Sequence, residues 1–180
     1  MTWQITLFTL LVLAVSAAGA ANAADSARHI ERSGGFTLAA PMSKAFPLFE
    51  PIPEKQWAEG WEPTPVYPAN GETVEGMVFT SSHEHEPDIV WTLVHYDPAS
   101  HEITYVNVMP GVRLGRIDIR CSETSEGTRV NVRYSFTALS AGNEFMDKFT
   151  QDHFDAYMQS WQHAISYFLT NGRRLQHHGQ

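Results

Sequence analysis

Cysteine is almost absent from this chain of 180 residues, which contains only Cys121. No disulfide can therefore form within one molecule, and the fold has to be stabilised by packing. Local catalytic signatures are missing too, since the sequence has no G-x-S-x-G elbow, no Walker-type phosphate loop and no H-E-x-x-H zinc motif. Cys121 follows the alternating apolar residues Ile117 and Ile119, so we interpret it as a buried, unreactive thiol. No reaction can be predicted from a local motif.

Positive charge is scarce as well. The chain has 12 Lys and Arg against 20 Asp and Glu, for a formal net charge of -8, and none of this charge lies in the first 23 residues. A surface this acidic repels the phosphates of nucleic acids and the headgroups of anionic lipids. We therefore expect neither nucleic acid nor bulk membrane as a partner.

The amino-terminal segment carries a long apolar run. Residues 5–19 are almost wholly apolar and are followed by small residues that end in Ala21-Asn22-Ala23. This pattern is typical of a signal peptide cleaved before Ala24, and the run is shorter than the roughly 20 apolar residues of a membrane span. The first twenty residues contain no Lys or Arg, so an uncleaved anchor is the alternative. We predict export, with the bacterial periplasm as the compartment and no stable membrane insertion after cleavage.

The remaining residues divide into three parts. A signal peptide over residues 1–23 leaves enough chain for one domain with a single core. Residues 24–33 are polar and are predicted to form a flexible leader. We place the domain at residues 34–172 and a disordered tail at residues 173–180.

Proline limits which helices can form in the first third of the domain. A short strand at residues 36–40 is followed by seven prolines between residues 41 and 68, which exclude a long helix. Two short helices are compatible with that spacing: residues 43–48, with Ser43 as the N-cap, and residues 53–59, with Pro53 in the first turn.

Strand patterns dominate the next part of the chain. The predicted strands cover residues 74–80, 88–97, 102–109, 112–123 and 128–138. Because the gaps between them are only a few residues long, the strands should form an antiparallel meander.

The register of the last two strands follows from the turn between them. A reversal at Glu126-Gly127 would place apolar residues opposite one another on one face and polar residues opposite one another on the other. The predicted opposed pairs are Cys121 with Val132, Ile119 with Tyr134, Ile117 with Phe136, Arg120 with Arg133, Asp118 with Ser135 and Arg116 with Thr137.

A helical period replaces the strand period after Ser140. Apolar residues then recur every three or four positions, which predicts one long amphipathic helix over residues 140–169 that ends at Asn171-Gly172. The apolar stripe consists of Phe154, Met158, Trp161, Ile165 and Phe168.

This order of elements predicts an α+β fold in which a curved antiparallel sheet of about six strands wraps around the C-terminal helix. One helix cannot fill the concavity of a strongly twisted sheet, so we expect a cavity between them.

Two sequence motifs suggest a family. They are W-x-x-x-x-Y-D-P at Trp91 to Pro98 and Y-S-F-T-A-L-S at Tyr134 to Ser140. With them, roughly residues 36–172 resemble the START-like superfamily, also called SRPBCC, and its helix-grip fold. The resemblance implies a cavity for a hydrophobic ligand. It leaves lipid carriage, plant-allergen-like binding and polyketide or aromatic cyclase chemistry open.

Aromatic residues are the candidates for the cavity wall, because Tyr and Trp combine a large apolar area with one polar group. The predicted ligand-binding residues are Trp57, Trp61, Trp91, Tyr105, Tyr134, Phe136, Tyr157 and Trp161. We therefore predict an exported binding protein or carrier for a small hydrophobic or amphipathic molecule, without a cofactor.

Histidines supply the alternative interpretation. His95 and His153 lie within predicted elements and are candidate catalytic residues of an aromatic cyclase or hydratase type of enzyme, in which an imidazole transfers a proton. Ordinary packing positions are the competing interpretation of both. A third class of function is a protein-interaction module built on residues 57–67.

No metal site is predicted. His83 and His85 are predicted to lie in a solvated hairpin loop beside two glutamates, whereas zinc requires three or four convergent ligands. His177 and His178 lie in the predicted tail, without fixed geometry.

Overall fold

Seven strands and one long helix make up most of the computed structural model, which describes residues 28–82, 88–140 and 144–176. The strands are β1 (His29–Leu38), β2 (Thr64–Tyr67), β3 (Val78–Ser81), β4 (Ile89–Asp97), β5 (Glu102–Met109), β6 (Arg113–Thr124) and β7 (Gly127–Ala138). The helices are α1 (Met42–Ala45), α2 (Glu144–Lys148) and α3 (Gln151–Asn171), with 3₁₀ helices at Phe46–Phe49 and Pro53–Gln56.

All seven strands belong to one sheet in the order β1-β7-β6-β5-β4-β3-β2, and every neighbouring pair is antiparallel. The meander from β3 to β7 is as predicted, and β1 closes the sheet beside the last strand. Together with the C-terminal α3, this arrangement confirms the predicted α+β helix-grip fold.

The first strand begins earlier than predicted. β1 starts at His29, so the segment predicted as a leader contains half of a strand, and Ile30 lies opposite Phe136 of β7. The prediction was wrong here because it relied on apolar side chains, whereas backbone pairing with β7 holds this polar half of the strand in the sheet. Gly35 lies inside β1, where a Cβ would be 2.1 Å from the carbonyl oxygen of Val130. Glycine permits this close approach of the two strands.

The seventh strand, β2, was not predicted. It contains Pro65 and lies between Pro63 and Pro68, a composition that argues against a central strand. β2 is at the edge of the sheet and pairs only with β3, so a residue without an N–H can be accommodated there.

The predicted register of β6 and β7 is wrong by two residues. The chain reverses at Ser125-Glu126, and Asp118 lies opposite Arg133. A shift of two leaves every side chain on its predicted face but removes the predicted opposition of Arg120 and Arg133, two like charges. Arg133 Nη2 instead lies 2.9 Å from Asp118 Oδ2.

The helical region is also divided differently from the prediction. The short helix α2 precedes α3, whose N-cap is Thr150, with the Thr150 side chain accepting a hydrogen bond from the His153 N–H. α3 ends where predicted, at Gly172 with a left-handed φ of 66°. In the proline-rich segment, the helix predicted to begin at Ser43 is α1, whose N-cap is Pro41, and no side chain caps that helix.

The apolar stripe of α3 packs on the inner face of the sheet. Phe154, Met158, Trp161 and Ile165 are buried, and Gln162 Nε2 donates to the Thr37 carbonyl of β1 at 2.9 Å. Each large side chain buried in this way contributes about 1.5–3 kcal/mol. Within the described ranges, no helix has the length and apolar character needed to cross a membrane.

Candidate functional site

A cavity of about 320 Å³ lies between the inner face of the sheet and α3. An adjoining, smaller recess of about 60 Å³ shares seven of its lining residues with the cavity. Those shared residues are Glu54, Trp61, Trp91, Ile117, Tyr134, Tyr157 and Trp161. The volume is at the lower end of the range for small-molecule sites, which suits a ligand of one or two rings.

The sheet side of the cavity is an aromatic wall held by hydrogen bonds. The Trp61 and Trp91 rings meet edge to face at 5.3 Å, and Trp91 also stacks on Phe79 at 5.7 Å. Trp91 Nε1 donates to Ser81 Oγ and Trp61 Nε1 donates to the Pro51 carbonyl, both at 2.9 Å. Because the indole N–H groups are paired away from the cavity, the wall presents apolar ring surface to a ligand.

The helix side of the cavity combines Tyr157 and Trp161 with Tyr134 of β7. Tyr157 lies 5.3 Å from Trp161, and Tyr134 lies 6.3 Å from Tyr157, measured between ring centroids. Tyr157 remains 39% exposed although it lines both the cavity and the recess. Solvent therefore reaches the cavity at this point of α3.

Glu54 places a carboxyl group in the cavity wall. It follows Pro53 in the first turn of a 3₁₀ helix, and it lines both the cavity and the recess. Burial raises the pKa of Glu54 to about 8. Near neutral pH the neutral acid is therefore the main form, and it can donate a hydrogen bond to a ligand.

Asn107 and Arg113 form a second polar position on the cavity wall. Asn107 is 1% exposed and Arg113 is 8% exposed, and Arg113 Nη1 donates to Asn107 Oδ1 at 2.7 Å. The Arg113 guanidinium carbon lies 4.5 Å from the Phe136 ring centroid and 4.7 Å from that of Phe145. A cation is thus kept beside aromatic faces inside the protein.

The predicted ligand-binding residues divide into two groups. Trp57 lies behind the wall, 2% exposed, where it donates to the Leu48 carbonyl and packs edge-on against Trp161. The structure places the other seven on the walls of the cavity or recess: Trp61, Trp91, Tyr105, Tyr134, Phe136, Tyr157 and Trp161.

The two candidate histidines lie on different sides of the sheet. His153, at the start of α3, lines the cavity, and its ring centroid is 5.7 Å from that of Phe149. His95 lies on the outer face, with Nδ1 3.5 Å from Glu75 Oε2 and Nε2 3.9 Å from Glu102 Oε2. A register shift between Leu93 and His95 produces this orientation.

The outer face of the sheet has a larger but more polar groove of about 640 Å³. Asp118 lines this groove. Burial raises the pKa of its carboxyl, but hydrogen bonds from Arg116, Arg133 and Thr104 outweigh that effect and lower the pKa below its ordinary value. Paired charges on an open surface are mostly solvated and weakly coupled. The inner cavity is therefore the better candidate for a small-molecule site.

Metal binding finds no support in the described residues. Over residues 28–82, 88–140 and 144–176, no three His, Cys, Asp or Glu side chains form a group that could hold a metal ion. His83, His85, His177 and His178 lie outside the described residues.

Sequence reasoning missed several polar residues of the cavity, among them Glu54, Asn107 and Arg113. Asn107 has the same strand parity as the buried Ile103 and Tyr105, so the alternation of β5 already placed an amide among inward-facing residues. Glu54 had no such signal, because it lies in a segment without periodicity.

No protein-family model and no curated protein sequence matches this chain. Solved structures do match it. Norcoclaurine synthase from Thalictrum flavum is 10% identical, with a TM-score of 0.60 over 92% of this chain and 99% of the synthase. Ara h 8.0201 is 14% identical, with a TM-score of 0.58 over 80% and 99% of the two chains. CalU16 from Micromonospora echinospora is 16% identical, with a TM-score of 0.51 over 80% of each chain.

These structures share the helix-grip architecture, and at such low identity the likeness concerns the fold alone. The chain has the helix-grip fold, as the sequence resemblance implied.

Proposed function

We propose that this protein is a binding protein or carrier for a small aromatic or amphipathic molecule, which it holds between the sheet and α3. The observation that carries this proposal is the cavity of about 320 Å³ with rigid aromatic walls and a few inward-facing polar groups. Small-molecule sites combine apolar walls with a few placed polar groups in this way.

A structural relative supports the class of ligand. Norcoclaurine synthase from Thalictrum flavum has been solved in complex with dopamine and hydroxybenzaldehyde, two single-ring molecules. The cavity described above has a volume suited to ligands of that size.

The ligand itself can be found by native mass spectrometry of protein purified from its own compartment, followed by solvent extraction. An environment-sensitive dye, displaced by fatty acids, isoprenoids or aromatic polyketides, then ranks the classes of ligand. No co-purifying molecule together with no dye binding would overturn the proposal.

A cavity-filling variant tests where the ligand lies. Ile117 lines the cavity and the recess, so Ile117→Phe should weaken dye binding by about tenfold or more by occupying the ligand's volume. Val106→Phe is the matched control, because Val106 lies on the neighbouring strand with the opposite parity to the inward-facing Tyr105. Equal dye affinity for both variants would place the binding site outside the cavity.

We propose further that the protein is exported after cleavage before Ala24, on the support of the apolar run and Ala21-Asn22-Ala23. Intact-mass measurement of the exported protein should give a chain beginning at Ala24. A chain that retains Met1 in the membrane fraction would instead identify an uncleaved anchor.

A second candidate function is a cyclase or hydratase type of enzyme in which Glu54 transfers a proton. The observation that favours it is the pKa of Glu54, raised to about 8 by burial, which is suited to acid-base chemistry near neutral pH. His153 also lines the cavity and is the second candidate for proton transfer. Turnover that is lost in Glu54→Gln, with ligand affinity retained, would establish the enzyme; turnover unchanged in both Glu54→Gln and His153→Ala would exclude this mechanism.

A further inference from the structure

The geometry points to a carboxylate-binding position at Asn107 and Arg113, which makes aromatic carboxylic acids the class of ligand that the cavity selects. This inference rests on the proposed binding function and adds the chemical group by which the ligand is oriented. It is carried by three observations: an amide donor without a partner, a backbone shaped to hold that amide, and a buried cation beside it.

The first observation is the side-chain amide of Asn107. Its Oδ1 accepts from Arg113 Nη1 at 2.7 Å, and this bond determines which end of the amide is oxygen. The Nδ2 group is therefore a donor, and it is buried with no hydrogen-bond partner in the part of the chain that the structure describes. A buried unpaired donor costs roughly 1–3 kcal/mol, so natural structures rarely keep one without a reason. An acceptor atom of a bound ligand would remove that cost.

The second observation is the backbone beside the amide. Asn107 of β5 lies directly opposite Gly115 of β6. A Cβ at Gly115 would lie 2.7 Å from Asn107 Oδ1, 2.9 Å from Asn107 Nδ2 and 2.7 Å from Phe136 Cε1. Only glycine leaves room for the amide in this position, since the backbone of a paired central strand cannot move away. The orientation of Asn107 is therefore built into the sheet.

The third observation is the charge of the neighbouring side chain. Arg113 lines the cavity together with Asn107, and the residue is 8% exposed. A buried cation acts at low dielectric and contributes a positive potential to this part of the wall, although the whole chain has a net charge of -8. Two carboxyl groups, Glu54 and Glu59, line the same cavity, and Glu54 is mainly neutral near neutral pH because burial raises its pKa to about 8.

These three features favour one ligand group over others. A carboxylate accepts a charge-assisted hydrogen bond from Asn107 Nδ2 and gains from the positive potential of Arg113. A neutral hydroxyl group gains only the single hydrogen bond. The aromatic body of the acid would then lie against rings such as Trp91 and Trp161, which line the same cavity.

Two probes that differ only in this group test the inference. Isothermal titration calorimetry with 2-naphthoic acid and 2-naphthylmethanol compares a carboxylate with a hydroxyl on the same ring system. Wild-type protein should bind the acid about tenfold or more tightly than the alcohol, since hydrogen bonds that involve a charged group are the stronger ones.

The variant Asn107→Asp then removes the donor while retaining an oxygen that accepts from Arg113. It should weaken binding of 2-naphthoic acid by about tenfold or more and change binding of 2-naphthylmethanol by less than about threefold. The control Asn131→Asp adds the same charge at an exposed position on the outer face and should alter neither affinity. If Asn107→Asp lacks a cooperative thermal transition, Asn107→Ala serves as the second variant with the same expectation.

The outcomes separate this inference from the function on which it rests. Equal affinity of wild-type protein for acid and alcohol, or equal losses of both in Asn107→Asp, would overturn the carboxylate position while leaving the binding function intact. Failure of wild-type protein to bind either probe, the dye or a co-purifying molecule would overturn the binding function itself.

Discussion

At the scale of single residues, Glu54 couples the cavity to the stability of the protein. A carboxyl group whose pKa is raised to about 8 in the folded chain binds its proton more tightly there than in the unfolded chain. The contribution of Glu54 to the free energy of unfolding is therefore most favourable at pH values where Glu54 is protonated in both the folded and the unfolded state. Stability falls as the pH rises from the ordinary pKa of a glutamate toward 8, because the folded state keeps a proton that the unfolded state has released.

Glu54→Gln should abolish this pH dependence. The free energy of unfolding of the variant should be close to that of wild type at pH 5 and should exceed it by roughly 1–4 kcal/mol at pH 9, where the wild-type carboxylate is ionised inside the protein. Urea denaturation at both pH values measures the difference. Glu126→Gln, an exposed change in the β6–β7 turn, is the control. Parallel pH profiles for wild type and Glu54→Gln would show that the Glu54 carboxylate is well solvated.

At the scale of elements, the N-cap of α3 sets the residue at which the helix begins, and with it the position of the apolar stripe on the sheet. Thr150 ends the chain segment after α2 and caps α3, with the Thr150 side chain 3.2 Å from the His153 nitrogen. Thr150→Ala should lower the free energy of unfolding by about 1 kcal/mol, since the N-terminal N–H groups of the helix lose their acceptor. Thr150→Ser should retain most of the stability. Thermal unfolding of both variants provides the measurement, and equal losses would assign the effect to the threonine methyl group instead.

The strands show which features of a sheet a sequence can reveal. β5 was predicted with its observed bounds, because its apolar alternation is regular and turns flank it. The register of β6 on β7 was not, because a shift of two residues leaves the period-two pattern unchanged. The like charges Arg120 and Arg133 were the available signal against the predicted register. β2 was missed because its prolines are tolerated only at the edge of a sheet, and a sequence does not show which strand is the edge.

At the scale of the whole molecule, the aromatic walls of the candidate site were predictable and the arrangement of its polar groups was not. The alternation of β7 places Tyr134 on its apolar face, whereas both faces of the strand with Trp91 are apolar, so Trp91 was assigned to the wall as a large aromatic residue and not by its parity. The polar position requires Asn107 to lie opposite Gly115 and beside Arg113, which depends on pairing between two strands and on the turn that joins them. Asn107 and Gly115 belong to one hairpin, so their opposition depends on the exact length of the turn between β5 and β6, and the predicted strand bounds did not determine that length.

The clustering of indole rings gives the molecule an optical property. The four tryptophans of the described residues form two close pairs: Trp57 is 5.3 Å from Trp161, and Trp61 is 5.3 Å from Trp91, between ring centroids. Three of them, Trp61, Trp91 and Trp161, line the cavity. Fluorescence excited in any one of these indoles can pass to its neighbour, and an occupant of the cavity lies in contact with most of them. The intrinsic emission of this protein is therefore a direct signal of whether the space is filled.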